Sequence, residues 1–454
     1  MNAGGKTVVV VGGGVGGLSA AHELAERGFQ VKVYERKAQF GGKARSMESP
    51  GTGKGGRKDL PGEHGYRFFP NFYKHVTDTM KRIPYPGNAQ GVYDNIVTGS
   101  RTQIARGGKM SVFAVSRYPQ NLEDWIAALK FVIGSANLGI PELEELYYID
   151  RLLALLTSCE ERRVKEYEQI PWWEFVDAAN KSAAYQQYLV RGTTRSLVAL
   201  KPELGSTRTV GYVGLQLGLG LLKMGESVDR LLNGPTSEVW IDPWVTYLES
   251  IGVELYANAP TLGFVMKDGQ VVGVSVQLEG MPQTVTADYY VAAMPVEAMA
   301  PLATAEMKQA APSLANIDKL QTAWMNGIQF YLEKDVPVVN GHTIYIDSPW
   351  ALTSISQRQF WRDGAMNRYG DGRLGGILSV DVSDWNTPGI LYGKTARECS
   401  VEEIKSEVWA QIKAHLDVDG AQALEDANLL GYFLDNDIQF PNPSEATNAE
   451  PLLI

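Results

Sequence analysis

Thr7-Val8-Val9-Val10-Val11 is apolar at every position after the first, the pattern of a strand covered on both faces within a parallel sheet. Beyond a glycine run, Leu18, Ala21, Leu24 and Ala25 share one helical face, and the pattern stops at Gly28. Gln30 to Tyr34 then reads as a second strand, so the chain opens as a β-α-β unit. Asn121 to Ile140 and Glu142 to Glu168 are helical by period, with Leu122, Trp125, Ile126 and Leu129 on one face. Such a stripe is usually core, although a substrate tunnel or a membrane surface would give the same pattern. Trp244 to Leu248 begins a helix ending near Gly252, and the strand Val253 to Leu255 follows. Thr261 to Val265 and Val271 to Val274 form a hairpin across Lys267-Asp268-Gly269-Gln270, which carries the D-G turn signal. Trp324 to Leu332 and Ile344 to Ile346 are strand-like.

Thr209 to Leu222 is uncharged and helical but shorter than the roughly 18 residues of a membrane span, and its glycines predict a buried helix. Gly211, Gly214 and Gly218 form a smooth edge on it, the pattern of close helix packing. The length of 454 residues suggests two or three domains. Its 44% hydrophobic and 21% charged content excludes wholesale disorder. Forty-two basic against 52 acidic side chains, a net charge of -10, argue against a nucleic-acid partner. Two widely spaced cysteines, Cys159 and Cys399, give neither a disulfide framework nor a redox pair, and no metal-ligand cluster is recognisable. Met1 to Lys6 lacks the features of a signal peptide, so a cytoplasmic chain beginning here is expected.

The glycine run is chemically specific. Gly12, Gly14 and Gly17 satisfy G-x-G-x-x-G between strand and helix, with Val15 and Gly16 inside the motif. The first glycine allows a tight turn, the second lets a pyrophosphate approach the backbone, and the third lets helix and strand pack closely. Orphan N–H groups at the helix start then face the anion. Glu35, at about the expected 20-residue spacing, offers a carboxylate to ribose hydroxyls. A second glycine pair, Gly41-Gly42, precedes Lys43-Ala44-Arg45 and suits another backbone approach to a diphosphate, with Lys43 or Arg45 offsetting its charge.

Glu35-Arg36 followed by Gly41-Gly42-Lys43-Ala44-Arg45-Ser46 resembles the E-R-x(4)-G-G-[RK]-x-x-[ST] continuation of the amine oxidase and carotenoid desaturase superfamily of flavoproteins. Gly62 to Tyr73 resembles the G-x-H-x-F-F-G-x-Y stretch of phytoene and ζ-carotene desaturases and the G-Q-H stretch of hydroxysqualene dehydroxylases, with two extra residues between His64 and the Phe-Phe pair. Ala287 to Pro295 resembles the A-D-x-V-[IV]-x-A-x-P return strand, with Tyr290 in place of the first valine.

The resemblance implies an α/β fold: a Rossmann-like FAD-binding domain of the glutathione reductase type 2 family with an inserted α+β substrate domain. Residues 1–75 and 231–300 would form the FAD domain, 76–230 a mostly helical and 301–430 a sheet-containing part of the substrate domain, and 431–454 a return toward the FAD domain. FAD would lie along Gly12, Gly14, Val15, Gly16, Gly17, Glu35, Arg36, Gly42, Lys43, Ala44 and Arg45, with Leu262 near adenine, Pro295 at the return strand, and Gly65, Tyr66, Arg67 and Phe68 beside the ring. His64, Tyr66 and Arg67 are the candidate catalytic side chains, with no proton-transfer role assigned. Many amine oxidases of the superfamily place a lysine opposite flavin N5, whereas Leu320 to Leu332 contains none and Lys319 and Lys334 only flank it.

The expected activity is hydride transfer to flavin N5 from an apolar substrate of the isoprenoid kind. Two alternatives stand beside it: an oxidase of an amine or amino acid, and a flavin-binding subunit without turnover. The family's last motif, a G-D strand end and glycine-rich helix, does not follow Asn442 to Ile454. A missing segment or a second chain is therefore expected to complete the FAD site.

Overall fold

In a computed structural model, residues 4–122, 124, 138–196, 199–221, 223, 226–362, 364–435 and 452–453 are described. Four parallel strands form the first sheet in the order Tyr289–Ala292, Thr7–Val11, Gln30–Tyr34, Glu254–Tyr256. The apolar run at the start of the chain is thus central, and its alternation serves two layers. Val8 and Val10 join Leu18 and Ala21 of the helix Val15–Glu26, and Trp244 and Leu248 of the helix Asp242–Ser250, on one face. Val9 and Val11 pack with Val274 and Val276 on the other, where the antiparallel strands Thr261–Lys267, Gln270–Leu278 and Met281–Val285 lie. A strand enclosed on both faces has no reason to be polar anywhere, which is why its sequence is not.

A second sheet has seven strands in the order Leu429–Leu434, Asn326–Leu332, Gly376–Val382, Leu352–Ser356, Thr343–Tyr345, Arg101–Arg106, Lys109–Val115. Ile404, Val408 and Ile412 of the helix Val401–Leu416 pack into its core with Ile328, Phe330 and Val380. Residues 101–115 add two strands to this sheet, joined through parallel pairing of Arg101–Arg106 with Thr343–Tyr345. Leu429–Leu434 is an edge strand of the same sheet, paired with Asn326–Leu332. Arg101–Arg106 and Leu429–Leu434 find these partners far away in sequence, which local periodicity does not reveal.

In a core of their own, helices Glu142–Thr157 and Thr207–Leu221 pack around Leu155, Trp172, Tyr185 and Val210. A Cβ on Gly211 would lie 2.0 Å from Leu155 Cδ2, so close packing holds there, but Gly214 and Gly218 face open space. That helix is half-buried rather than buried, correcting the expectation from its composition. Trp125, Ile126 and Leu129 lie outside the described residues, as does 436–451; Leu452–Leu453 pairs with Thr322–Ala323. Cys159 is exposed and Cys399 buried, both as free thiols. Among the described residues no helix is long and apolar enough to cross a membrane.

The turn leaving the first strand depends on Gly12, whose φ is +102°, and on Gly17, where a Cβ would lie 1.8 Å from the Gly12 carbonyl oxygen. Gly17→Ala is expected to lower stability by roughly 3 kcal/mol, because the oxygen belongs to backbone that has nowhere to move. Thermal unfolding of the variant beside wild type checks this; an unchanged Tm would contradict it.

Candidate functional site

The glycine turn is held from two sides. The Gly12 N–H donates to the Tyr34 carbonyl at 2.8 Å, tying the turn to the second strand. The Gly41 N–H donates to the Gly13 carbonyl at 2.8 Å, and Gly14 and Gly41 bridge in parallel, so the second glycine pair docks on the first. A Cβ on Gly42 would come within 3.0 Å of Gly14 Cα, whereas a Cβ on Gly14 would meet nothing nearer than 3.7 Å. Protein packing therefore does not require glycine at position 14; an anion lying against the backbone there would.

Glu35 is 6% exposed and accepts from the Gly13 N–H at 2.6 Å and the Lys37 N–H at 2.9 Å. Each carboxylate oxygen can take a further hydrogen bond, so the acid shapes the loop and can still receive ribose hydroxyls.

These elements open into one cavity of about 520 Å³, within the range of small-molecule sites. Gly12, Gly14, Val15, Gly16, Glu35 and Arg36 line it beside Gly42, Lys43, Ala44 and Pro295. His64, Gly65, Tyr66 and Arg67 line it too, as do Asp381 from the second sheet and Met325, which immediately precedes one of its strands. Four expected residues do not. Gly17 packs under the turn. Arg45 is buried, with Nη1 donating to the Gly42 carbonyl at 2.6 Å, so it fastens the second glycine turn instead of facing the cavity. Phe68 sets its ring edge against His342, with centroids 4.7 Å apart. Leu262 sits where the hairpin register shifts between Thr261 and Gly263, and the shift turns it to solvent at 44% exposure.

The far part of the cavity is a buried polar network. His64 Nδ1 meets Asp435 Oδ2 at 2.5 Å, Tyr66 Oη donates to Thr353 Oγ1 at 2.7 Å, and Arg67 Nη2 donates to the Lys43 carbonyl at 2.7 Å. Arg67 also faces Glu63 at 3.5 Å; Glu63 accepts from Ser46 Oγ and the Thr236 N–H, and burial raises its carboxyl. Behind Tyr66, His342 pairs with Asp229 at 2.7 Å. Burial also holds the Tyr66 hydroxyl well above its ordinary value, keeping it a neutral donor.

Asp381 lies on Gly376–Val382, opposite Gly327 on one side and Thr353 on the other. Sequence reasoning missed it, along with Met325 and Asp435. One signal was present: Asp381 is an acid within the otherwise apolar or small Gly376–Val382 run.

A model of the NAD(P)-binding Rossmann-like domain matches residues 10–83. The chain is 25% identical over 374 residues to 15-cis-phytoene desaturase of Synechococcus elongatus, covering 80% of this chain and 70% of that one. It is 37% identical over 84 residues to 4,4'-diaponeurosporene oxygenase of Staphylococcus aureus, covering 18% of this chain and 17% of the oxygenase. Among solved structures, putrescine oxidase bound to putrescine shares the fold with TM-score 0.64 at 15% identity, over 99% of this chain and 88% of that chain. Reduced UDP-galactopyranose mutase does so with TM-score 0.59 at 15% identity, over 94% and 83%. Sheet, glycine turns and relatives together define an oxidoreductase built on a Rossmann-like nucleotide-binding domain. The chain is thus similar over most of its length to a phytoene desaturase and shares its fold with an amine oxidase.

Burial drives the Asp381 carboxyl up to about 7, while the charges of Arg67 and His342 and the Tyr66 backbone N–H pull it down. In the unfolded chain an aspartate titrates near 4. Between these values the folded chain holds a proton that the unfolded chain has released. This group's contribution to stability is therefore fullest at low pH, falls as pH rises from about 4 to about 7, and then levels. Asp381→Asn is expected to stabilise the protein at pH 8, by up to about 4 kcal/mol, and to change little near pH 4. Paired thermal melts at the two pH values check this, and an equal Tm shift at both would contradict it.

Proposed function

We propose that this chain is an FAD-dependent desaturase or dehydrogenase that takes a hydride from a C–H bond of an apolar substrate of the isoprenoid kind. The observation that carries the reading is the single cavity shared by two backbone-docked glycine turns, the Glu35 carboxylate and the His64–Arg67 segment. The residues suit the cofactor: Gly14 leaves its backbone open where a phosphate needs it, and Glu35 retains acceptor capacity for a ribose. FAD, when bound, supplies the hydride acceptor at N5.

The chain's own groups would do the rest. N–H groups at the start of the helix Val15–Glu26, with its dipole, would face the diphosphate. Lys43, which also lies 3.4 Å from Glu297, would add positive charge beside it. Val15, Ala44, Met294 and Met325 give the cavity apolar walls. Likeness to a phytoene desaturase supports an isoprenoid substrate, as does Met325, which lines the cavity at the start of a strand that carries no lysine. Oxidation of an amine is the second reading. The Asp381 carboxyl lining the cavity favours it, because a carboxylate is the natural partner of an ammonium.

Purified chain is expected to show the visible spectrum of oxidised flavin, and Glu35→Ala to weaken FAD binding by roughly 10- to 100-fold through lost ribose hydrogen bonds. Anaerobic bleaching by isoprenoids and not by amines would support the first reading, and the reverse the second. Colourless protein that takes up no FAD on titration would sink both.

A further inference from the structure

We propose that Asp381 and His64 together form a recognition site for a hydrogen-bond donor on the substrate, so that the molecule accepted is an apolar chain bearing a hydroxyl or amine group and not a plain hydrocarbon. This deepens the oxidoreductase reading and rests on it.

Both residues line the cavity and both are at least nine-tenths buried, Asp381 at 6% exposure and His64 at 9%. Each keeps one buried polar atom without a partner, Asp381 Oδ1 and His64 Nε2. The two are neighbours through Gly65, since a Cβ there would lie 2.6 Å from Asp381 Oδ1. The histidine's chemistry is fixed from behind. The Asp435 carboxylate only accepts, so Nδ1 donates to it and Nε2 of the neutral ring is left as an acceptor. An ionised Asp381 also only accepts. The backbone presses the two groups inward: the Gly327 N–H donates to the His64 carbonyl at 2.6 Å, and Gly327 stands opposite Asp381 in the sheet.

Two buried acceptors on a cavity wall are costly until a donor arrives, which selects for a ligand that brings one. Sites built this way discriminate strongly against analogues lacking the polar group, because those analogues leave the acceptors unpaired. Arg67 does not fill the role, as its nearest carboxylate is Glu63. A hydroxyl and an amine share the donor chemistry, and they differ in charge.

The test measures equilibrium binding of three chains of equal length, farnesol, farnesylamine and farnesene, to the full chain loaded with FAD at pH 8. Tryptophan fluorescence and calorimetry provide the readouts. Wild type is expected to bind the alcohol or the amine about tenfold or more tightly than the hydrocarbon. Asp381→Ala should bring that ratio to within about twofold. Asp381→Asn, whose amide oxygen still accepts but carries no charge, should keep the preference for farnesol and lose that for farnesylamine, and it decides the matter alone should the alanine variant fold poorly. Equal wild-type binding of all three chains overturns the proposal, as does any preference that survives in Asp381→Ala, or a farnesylamine preference that survives in Asp381→Asn. Looser flavin binding in Asp381→Asn with ligand choice intact also overturns it, because the carboxyl would then serve the cofactor. Failure of the wider reading is seen separately, as a wild-type protein without a flavin spectrum, and the ligand ratio is measured on that same protein.

Discussion

The contact on which the site depends is made without side chains: the Gly41 N–H on the Gly13 carbonyl, with Gly14 and Gly41 bridged. Backbones approach this closely only where no Cβ intervenes, which explains glycine on both turns. The arrangement is then secured by polar groups behind it. Glu35 accepts from the Gly13 N–H, and Arg45 donates to the Gly42 carbonyl. Ile241 stands 3.0 Å from where a Gly41 Cβ would be, so the second turn is pressed from outside as well. The turns in their turn hang on the parallel sheet, through the Gly12 bond to Tyr34. One end of the cavity is therefore rigid by construction.

The other end is built on the opposite principle. Side chains crowd it, and several polar ones are buried: Glu63, His64 and Asp381 meet the half-buried Arg67 where the His64–Arg67 segment abuts the second sheet. Gly65 and Gly327 again permit the approach, one against the Asp381 carboxylate and one against the His64 carbonyl. Burying ionisable groups costs stability, and such cost is usually retained where it serves recognition or chemistry.

The nucleotide half was legible in the sequence because its signals are local. An all-apolar strand, three glycines at fixed spacing, a helix and an acid lie within residues 7–35 and declare both their structure and their chemistry. Side-chain direction was not legible. Arg45 and Lys43 are two residues apart in a basic loop, yet only Lys43 lines the cavity, because Arg45 turns back to cap its own turn. Leu262 lies outside the cavity lining, with its side chain exposed beside a register shift that no pattern announces. Asp381, Met325 and Asp435 escaped for a different reason. They reach the His64–Arg67 segment only after strands more than 250 residues downstream have been assembled into a sheet, and no window of sequence contains that meeting.

The central strand Thr7–Val11 is paired on one edge with Gln30–Tyr34 and on the other with Tyr289–Ala292. During synthesis the first partner emerges within seconds, but the second waits for more than 250 further residues, at rates of about 5–20 residues per second. Throughout that interval the nascent chain carries an open valine edge able to pair with any other extended segment. Successful maturation in the cell thus turns on shielding a five-residue strand until its distant neighbour leaves the ribosome, which makes this edge a natural place for a chaperone to act.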